Sequence, residues 1–183
     1  MSINLRPLFE SDKNYYEVID LYKKAFPEAQ YIPTWFLRYK LRKGKMGFNI
    51  LYAHDIWIGL IYITEYKDIL FVQFLAIAES YRSAGYGSKV MDLLKGTHSE
   101  KRIVLNIEEL DQQAKNYKQR VKRKAFYEKN GFSSSGYRVK EPGEQLEMLI
   151  CGGNINKEEI EAMYEKLFGS ILGFLFRPKV IKI

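Results

Sequence analysis

The stretch ILFVQFLAIAESYRSAGYGSKVM, residues 69–91, joins an apolar run to a loop with two glycines and then to the start of a helical pattern. Between residues 69 and 78 Gln73 is the one strongly polar side chain, which is typical of a strand buried on both faces. After the loop, Val90, Met91 and Leu94 recur at helical spacing. The stretch therefore predicts a buried strand that leads through a short loop into a helix.

The joint between this strand and this helix has the properties of an anion site. The first N–H groups of a helix have no partner within the helix, and the aligned peptide dipoles place partial positive charge there. Gly85 and Gly87 would let a ligand approach the backbone closely, because glycine has no Cβ. Arg82 adds a permanent cation whose donors suit phosphate oxygens.

Two nucleotide-binding patterns fail here. The third glycine of G-x-G-x-x-G is replaced by Val90, and the Walker spacing is absent. What remains is R-x-x-G-x-G, from Arg82 to Gly87, directly after a strand. It resembles motif A of the GNAT superfamily of acyl-CoA-dependent N-acyltransferases. The alternative interpretation is a strand-to-helix turn that needs only flexible residues.

Length and composition indicate one globular domain with a sizeable core. The chain has 183 residues, of which 46% are hydrophobic and 28% charged, and it carries a net charge of +7. A single cysteine, Cys151, and two distant histidines, His54 and His98, predict neither a disulfide nor a metal site. Without a signal-peptide pattern or a run long enough to span a membrane, the expected location is the cytoplasm. The positive charge would suit nucleic acid, an anionic surface or a phosphate-bearing ligand.

The order of predicted elements describes a mixed α/β sheet of seven strands. Strands are predicted at residues 3–8, 48–53, 57–65, 69–78, 102–110, 133–140 and 145–151, and the second to fourth form an antiparallel meander. Because a helix connects residues 69–78 to 102–110, these two strands should be parallel. Helices are predicted after a cap at Ser11 or Asp12, at residues 34–42, from about residue 87, at 114–130, and at 157–168 after a cap at Asn154 or Asn156.

A second motif strengthens the resemblance. KAFYEKNGF, residues 124–132, looks like the GNAT signature A-x-x-Y-x-K-x-G-F, although Ala125 stands two positions before Tyr127 where three is usual. The two motifs occur in the family's order over residues 3–151. The resemblance implies a GNAT sheet whose two central parallel strands splay apart. Residues 1–153 would form this domain, and residues 154–183 a C-terminal helical extension packed on it.

The resemblance also implies a cofactor, acetyl-CoA, and the residues that would hold it. The pantetheine arm would bind the backbone at Leu75, Ala76 and Ile77. The pyrophosphate would bind Arg82 and the loop amides, which belong to Ser83, Ala84, Gly85, Tyr86, Gly87 and Ser88. The Tyr127 hydroxyl would protonate the departing thiolate, whereas its alternative role is to pack beside Phe126 in the core.

The general base is where the sequence departs from the family. Some members carry a glutamate at the position occupied here by Phe71. Glu108, on the next strand and on the same face as Asn106, is the candidate replacement, and its alternative is an exposed carboxylate at a strand end. Deprotonation through water alone also fits. The family's pantetheine-binding asparagine is replaced by Arg120, with Asn116 nearby as a substitute.

The sequence predicts an N-acetyltransferase that passes an acetyl group from acetyl-CoA directly to a primary amine in a ternary complex, since Cys151 lies outside the cofactor motif. One alternative is a non-catalytic acyl-CoA-binding or regulatory module on the same fold. A less favoured one is a nucleic-acid-binding protein that uses the basic residues 115–124, which otherwise form a solvated helix face or meet the 3′-phosphate of coenzyme A. The C-terminal segment is expected to dock on the sheet, with a homodimer contact or a wall of the acceptor pocket as alternatives. The acceptor amine itself is not specified, because a fold does not fix a substrate.

Overall fold

The computed structural model describes residues 2–26, 47–141, 144–175 and 178–183, and its strands form one mixed sheet. The strand order is β1-β2-β3-β4-β5-β7-β6-β8, with parallel and antiparallel pairs. The mixed α/β architecture is therefore confirmed, with eight strands in place of the seven predicted. The strands are β1 (Ile3–Pro7), β2 (Phe48–Ala53), β3 (Ile56–Tyr66), β4 (Ile69–Ile77), β5 (Arg102–Glu108), β6 (Ser133–Glu141), β7 (Glu144–Cys151) and β8 (Lys179–Lys182). The helices are α1 (Tyr15–Ala25), α2 (Tyr86–Thr97), α3 (Tyr117–Lys129) and α4 (Lys157–Leu175).

One compact unit comprises Met1–Thr64 and Val72–Thr97. Its strand β2 pairs antiparallel with β3, as the predicted meander requires, and also with β1, a pairing that was not predicted. Helix α1 covers them through Tyr22, whose ring lies edge-on to Phe48 and Phe74 at 5.6 and 5.1 Å between centroids. At the β2–β3 turn His54 is exposed with φ 55°.

The predicted cap of the first helix is wrong. Helix α1 begins after Asn14, and no side chain caps it. The Asp12 carboxylate instead accepts a hydrogen bond from the Phe9 N–H, which closes a turn before the helix. The side-chain oxygen of Asn14 accepts from the Tyr52 hydroxyl at 3.2 Å. The side chains of Asp12 and Asn14 are thus both engaged outside the helix. The helix predicted at residues 34–42 lies outside the described residues.

The other unit comprises Glu65–Phe71 and His98–Ile183. In it β7 pairs antiparallel with both β5 and β6, and β8 pairs antiparallel with β6. The buried side of α4 packs on these strands in a core that includes Val104, Met148, Ile160 and Met163. Strand β8 was not predicted, because four residues, KVIK, are too few to show an alternating pattern.

Helix α4 starts where a capping box forms. The Asn156 side chain accepts from the Glu159 N–H at 2.9 Å, and the Glu159 carboxylate accepts from the Asn156 N–H at 2.9 Å. The predicted cap at Asn156 is therefore confirmed. The helix continues to Leu175, beyond the predicted end at residue 168. At its start Arg102 donates to Glu159 at 2.7 Å, to the Asn154 carbonyl at 2.6 Å and to Asp68 at 2.8 and 2.9 Å.

Candidate cofactor loop and catalytic side chains

The loop between β4 and α2 is held in an unusual backbone conformation. After a single turn at Glu79–Tyr81, Ser83 has φ 63° and Gly85 has φ 81°. Such positive values are readily available to glycine but are uncommon for serine. Residues 82–85 are all exposed. The loop therefore presents its backbone to the outside in a fixed curved shape.

The first N–H groups of helix α2 point out of its N-terminal end. The Lys89 N–H donates to the Gly85 carbonyl at 3.2 Å, so Gly85 occupies the N-cap position. The N–H groups of Gly87 and Ser88 consequently have no acceptor within the helix. A glycine at the N-cap has no side chain to satisfy them. These donors, together with the positive end of the helix dipole, can bind an anion.

Arg82 fixes the loop to the end of β4. Its Nε donates to the Ile77 carbonyl at 3.0 Å. Its two terminal nitrogens have no partner among the described residues. A Cβ built on Gly85 would meet no atom within 4 Å, so there is open space beside the loop amides. Free donors, a cation and open space together fit a pyrophosphate group, such as that of coenzyme A.

The three residues expected to hold pantetheine lie at the end of β4, close to β3. Ala76 is buried, whereas Leu75 and Ile77 are half-buried. A Cβ on Gly59 would lie 2.2 Å from the Ala76 oxygen and 3.1 Å from the Ile77 Cα. Glycine is therefore required at position 59 for β3 to approach this part of β4. The Ile77 carbonyl already accepts a hydrogen bond from the Arg82 Nε at 3.0 Å.

Tyr127 is a buried phenol on α3. Its ring packs edge-on against Phe126 and Phe132, with centroids 5.0 and 5.6 Å away. Burial raises the pKa of Tyr127 to about 12, although the nearby Arg123 charge acts in the opposite direction. The hydroxyl is therefore protonated at neutral pH and able to donate. The aromatic packing described as its alternative role is also present.

Glu108 is buried in a network of donors, so the interpretation as an exposed strand-end carboxylate is wrong. The residue is 6% exposed. One carboxylate oxygen accepts from Arg123, and the other accepts from Asn116 at 2.7 Å and lies 3.8 Å from Arg120. Asn116 is held in turn by Arg120, whose Nε donates to the Asn116 side chain at 2.8 Å. Arg123 thus acts on both Glu108 and Tyr127.

The basic run of α3 divides into two faces, which spacing alone did not reveal. Arg120, Arg123 and Lys124 face carboxylates or carbonyls of the sheet, and Lys124 binds the buried Glu147 at 2.7 Å. Lys115, Lys118 and Lys122 are exposed. The prediction of a solvated face thus holds for part of the run only. The other part anchors α3 through charge, since Tyr127 is its one buried residue.

A polar pair that the sequence analysis did not single out lies on β5 and α4. The Asn106 Nδ2 donates to the Tyr164 hydroxyl at 2.6 Å. Tyr164 is 2% exposed and touches Phe71 edge-on at 5.6 Å. An asparagine inside the strand RIVLNIE was the available signal.

Two kinds of feature, a metal-binding cluster and a membrane-spanning helix, are absent from the described ranges. Within those ranges no group of three or more His, Cys, Asp or Glu side chains is arranged to hold a metal ion. No helix there combines the length and hydropathy that crossing a bilayer requires.

Comparison with known proteins agrees with this description. The model of the acetyltransferase (GNAT) domain matches residues 44–134. A GNAT-family protein from Bacteroides thetaiotaomicron has the same fold, with TM-score 0.75 and 23% identity over 93% of this chain and 98% of that one. An aminoglycoside 6′-N-acetyltransferase solved with coenzyme A gives TM-score 0.58 and 16% identity over 82% and 96% of the two chains.

A third structure, a GNAT-family acetyltransferase from Elizabethkingia anophelis with acetyl-CoA bound, gives TM-score 0.55 and 14% identity over 82% and 98% of the two chains. No curated protein sequence matches the chain significantly. The structural matches at these identities show the fold, and the domain match adds the family. The chain belongs to the GNAT acetyltransferase family.

Proposed function

We propose that the protein is an N-acetyltransferase that transfers the acetyl group of acetyl-CoA to a primary amine by direct attack in a ternary complex. The observation that carries the proposal is the loop before α2. Its amides at Gly87 and Ser88, the Arg82 guanidinium and the open space beside Gly85 suit the coenzyme A pyrophosphate. Two of the solved relatives contain coenzyme A or acetyl-CoA.

In this proposal the remaining loop amides, at Ser83, Ala84 and Gly85, complete the phosphate site. The backbone at Leu75, Ala76 and Ile77 binds the pantetheine arm. An N–H of this segment also supports the oxyanion that forms when the amine attacks the thioester. Gly59 contributes indirectly, because it sets the position of β4.

Two side chains of the second unit are proposed for proton transfer. Tyr127, neutral because its pKa is raised, donates its proton to the departing thiolate of coenzyme A. The amine must lose a proton before attack, because an ammonium has no lone pair. Glu108 is proposed to take that proton through water, since Arg123 and Asn116 already occupy its own oxygens.

Three further features belong to the proposal. The catalytic domain would span residues 1–153, with 154–183 as an extension packed on it. The protein would act in the cytoplasm. Homodimerisation through the C-terminal segment is the alternative use of that segment.

Thermal unfolding with and without acetyl-CoA tests the cofactor site. Ligand at a hundred times its Kd should stabilise the fold by about 2.7 kcal/mol, or about 5–10 °C for a chain of this size. Gly85→Glu should abolish the shift, because a carboxylate would then lie beside the loop amides. Gly136→Glu is the matched control, since Gly136 also has positive φ, 80° against 81°, and also has open space at its Cβ.

Release of coenzyme A with a panel of primary amines tests catalysis. A thermal shift with release of coenzyme A supports the enzyme. A shift without release from any amine would favour the non-catalytic acyl-CoA-binding module. Absence of a shift in the folded parent would refute the cofactor assignment. Salt-sensitive binding of single-stranded DNA that acetyl-CoA does not compete away would then favour the nucleic-acid alternative, through Lys115, Lys118 and Lys122.

A further inference from the structure

The cations in and just before helix α3 are divided between an inner face and an outer face. The inner ones, Arg120, Arg123 and Lys124, are all bound by carboxylates or carbonyls of the sheet. The outer ones are exposed, and their side chains have no hydrogen bond or ion pair among the described residues. They are Lys115, Lys118, Lys122 and Lys129.

These outer lysines are placed against the electrostatic preferences of a helix. Lys118 and Lys122 are four positions apart in α3, so their like charges lie on one face and repel each other. Lys115 and Lys118 lie at the N-terminal end of the helix, where the dipole disfavours a cation. The first turn of α3 contains no acidic residue, whereas the first turns of α1 and α4 do. An anionic partner would remove both unfavourable interactions.

The outer face also offers aliphatic contact. Val121 is 39% exposed, and Ala125 is exposed one turn further along. Both arginines of the helix bind inward, and its aromatic side chains are buried or half-buried. Nucleic-acid surfaces typically combine lysines with arginines and exposed aromatic rings. Lysines beside exposed aliphatic side chains therefore fit an acidic polypeptide better than a nucleic acid.

The spacing of the lysines suits an extended chain. At about 1.5 Å per residue, Lys118 and Lys122 are separated by about 6 Å along the helix axis. Alternate residues of an extended chain are about 6.6 Å apart. Acidic side chains at every second position of such a chain can therefore meet successive lysines. The inner ion pairs hold α3 on the sheet, so this face is presented in a fixed shape, which lowers the cost of binding.

We propose that the outer face of α3 is a docking surface for an extended acidic segment of a partner polypeptide. Carboxylates of the partner pair with the lysines, and an aliphatic side chain of the partner packs on Val121. This inference goes beyond the proposed acetyltransferase function and does not depend on it. The docking surface is formed by Lys115, Lys118, Val121, Lys122, Ala125 and Lys129.

Binding of a model peptide tests the docking surface. The probe is a fluorescein-labelled peptide about ten residues long that alternates glutamate with serine and has a leucine at one central serine position. Its fluorescence anisotropy is followed at about 0.15 M salt, where exposed charges further apart than about 8 Å are largely screened. The parent should bind this peptide, and the same peptide with glutamine in place of glutamate should not bind. Val121→Ser should weaken binding about threefold.

Reversal of the outer charges gives the decisive comparison. The triple variant Lys115→Glu/Lys118→Glu/Lys122→Glu should weaken binding of the acidic peptide at least tenfold. Its melting temperature should be no lower than that of the parent, because repulsion is removed and acidic residues now lie at the start of the helix. The loss of binding would then not come from unfolding. The matched control reverses three other exposed lysines and should leave the Kd within twofold, as Lys13→Glu/Lys23→Glu/Lys24→Glu.

Four results would overturn the proposal. The first is the absence of peptide binding to the folded parent at millimolar concentration. The second is an equal loss in both triple variants, since net charge alone would then attract the peptide. The third is tighter binding of single-stranded DNA than of the peptide, which would assign the outer face to nucleic acid. The fourth is displacement of the peptide by coenzyme A, which would assign the lysines to the 3′-phosphate of the cofactor.

Discussion

The close approach of β3 to the proposed pantetheine strand can be tested by adding one methyl group. In Gly59→Ala the new Cβ would lie 2.2 Å from the Ala76 oxygen, whereas real Cβ contacts essentially never fall below 3.0 Å. The obstacle is backbone, so it cannot rotate away as a side chain could. Strand β4 must therefore move away from β3 by about 0.8 Å or more at Ala76 and Ile77.

The expected cost follows from this overlap. Forcing an extra methyl group into a packed interior typically destabilises by about 1–3 kcal/mol, which corresponds to about 2–12 °C in Tm for a chain of this size. Because the displaced residues are those proposed to bind pantetheine, the Kd for acetyl-CoA should also rise about tenfold, the loss expected for one backbone hydrogen bond. Thermal unfolding and titration with acetyl-CoA measure the two effects separately.

Gly96→Ala serves as the matched control. Gly96 lies in α2, and a Cβ there would meet nothing within 4 Å. Alanine should therefore stabilise the helix by about 0.5–1 kcal/mol without changing the Kd. A Gly59→Ala protein as stable as the parent would refute the close approach. A destabilised Gly59→Ala protein that binds acetyl-CoA normally would refute the link between this contact and the cofactor.

Three more outcomes are expected. Glu108→Gln should lower kcat about a hundredfold, because it removes the proposed base. It should also lower the unfolding free energy by about 2 kcal/mol, because it leaves Arg123 without a carboxylate. The control Glu147→Gln should affect stability alone, and equal kcat values in the two variants would argue against Glu108 as a base. Tyr127→Phe should lower kcat about a hundredfold with an unchanged Kd for acetyl-CoA. Since burial raises the pKa of Tyr127 from 10.0 to about 12, its contribution to stability is complete below pH 10 and is lost between pH 10 and 12. The unfolding free energy of the phenylalanine variant should therefore fall less steeply with pH in that range. Hydrogen bonds from Arg102 lower the pKa values of Asp68 and Glu159, so the stability that they contribute above about pH 4.5 is lost as the pH falls. The unfolding free energy of Arg102→Met, measured by chemical unfolding, should therefore depend less on pH in that range. An equal pH dependence in the variant and the parent would contradict the direction of these pKa shifts.

The parts of the fold that could be predicted are those encoded by neighbouring residues. Strand β2 was predicted with its observed bounds, because an apolar run there is closed by a turn at His54. The strand, loop and helix at residues 69–91 could be predicted because the glycines, the arginine and the preceding strand are contiguous. The role of this loop in binding a cofactor stays a prediction. The cap of α4 was predicted as Asn154 or Asn156, because both asparagines stand just before a helical apolar pattern, and the observed cap is Asn156.

The parts that could not be predicted depend on partners far apart in the chain. Asn106 and Tyr164 are separated by 58 positions, and Arg102 and Glu159 by 57. The partners of Glu108 lie eight and fifteen positions away, but across a turn whose geometry the sequence does not state. The Asp12 carboxylate suits a helix cap, yet it instead accepts a hydrogen bond from the Phe9 N–H in the preceding turn. Local patterns cannot rank such competing contacts.

The short strand β8 has a consequence for the behaviour of shortened chains. It is the last strand of the sheet order and pairs antiparallel with residues 137–140 of β6. Without β8, this edge of β6 would present a row of open backbone donors and acceptors. β8 itself is four residues long and bears a lysine at each end, which are features that discourage a further strand from adding. A protein cut before residue 178 would therefore expose a longer edge without these charges. Its first defect should be self-association through strand addition rather than loss of the loop proposed to bind acetyl-CoA.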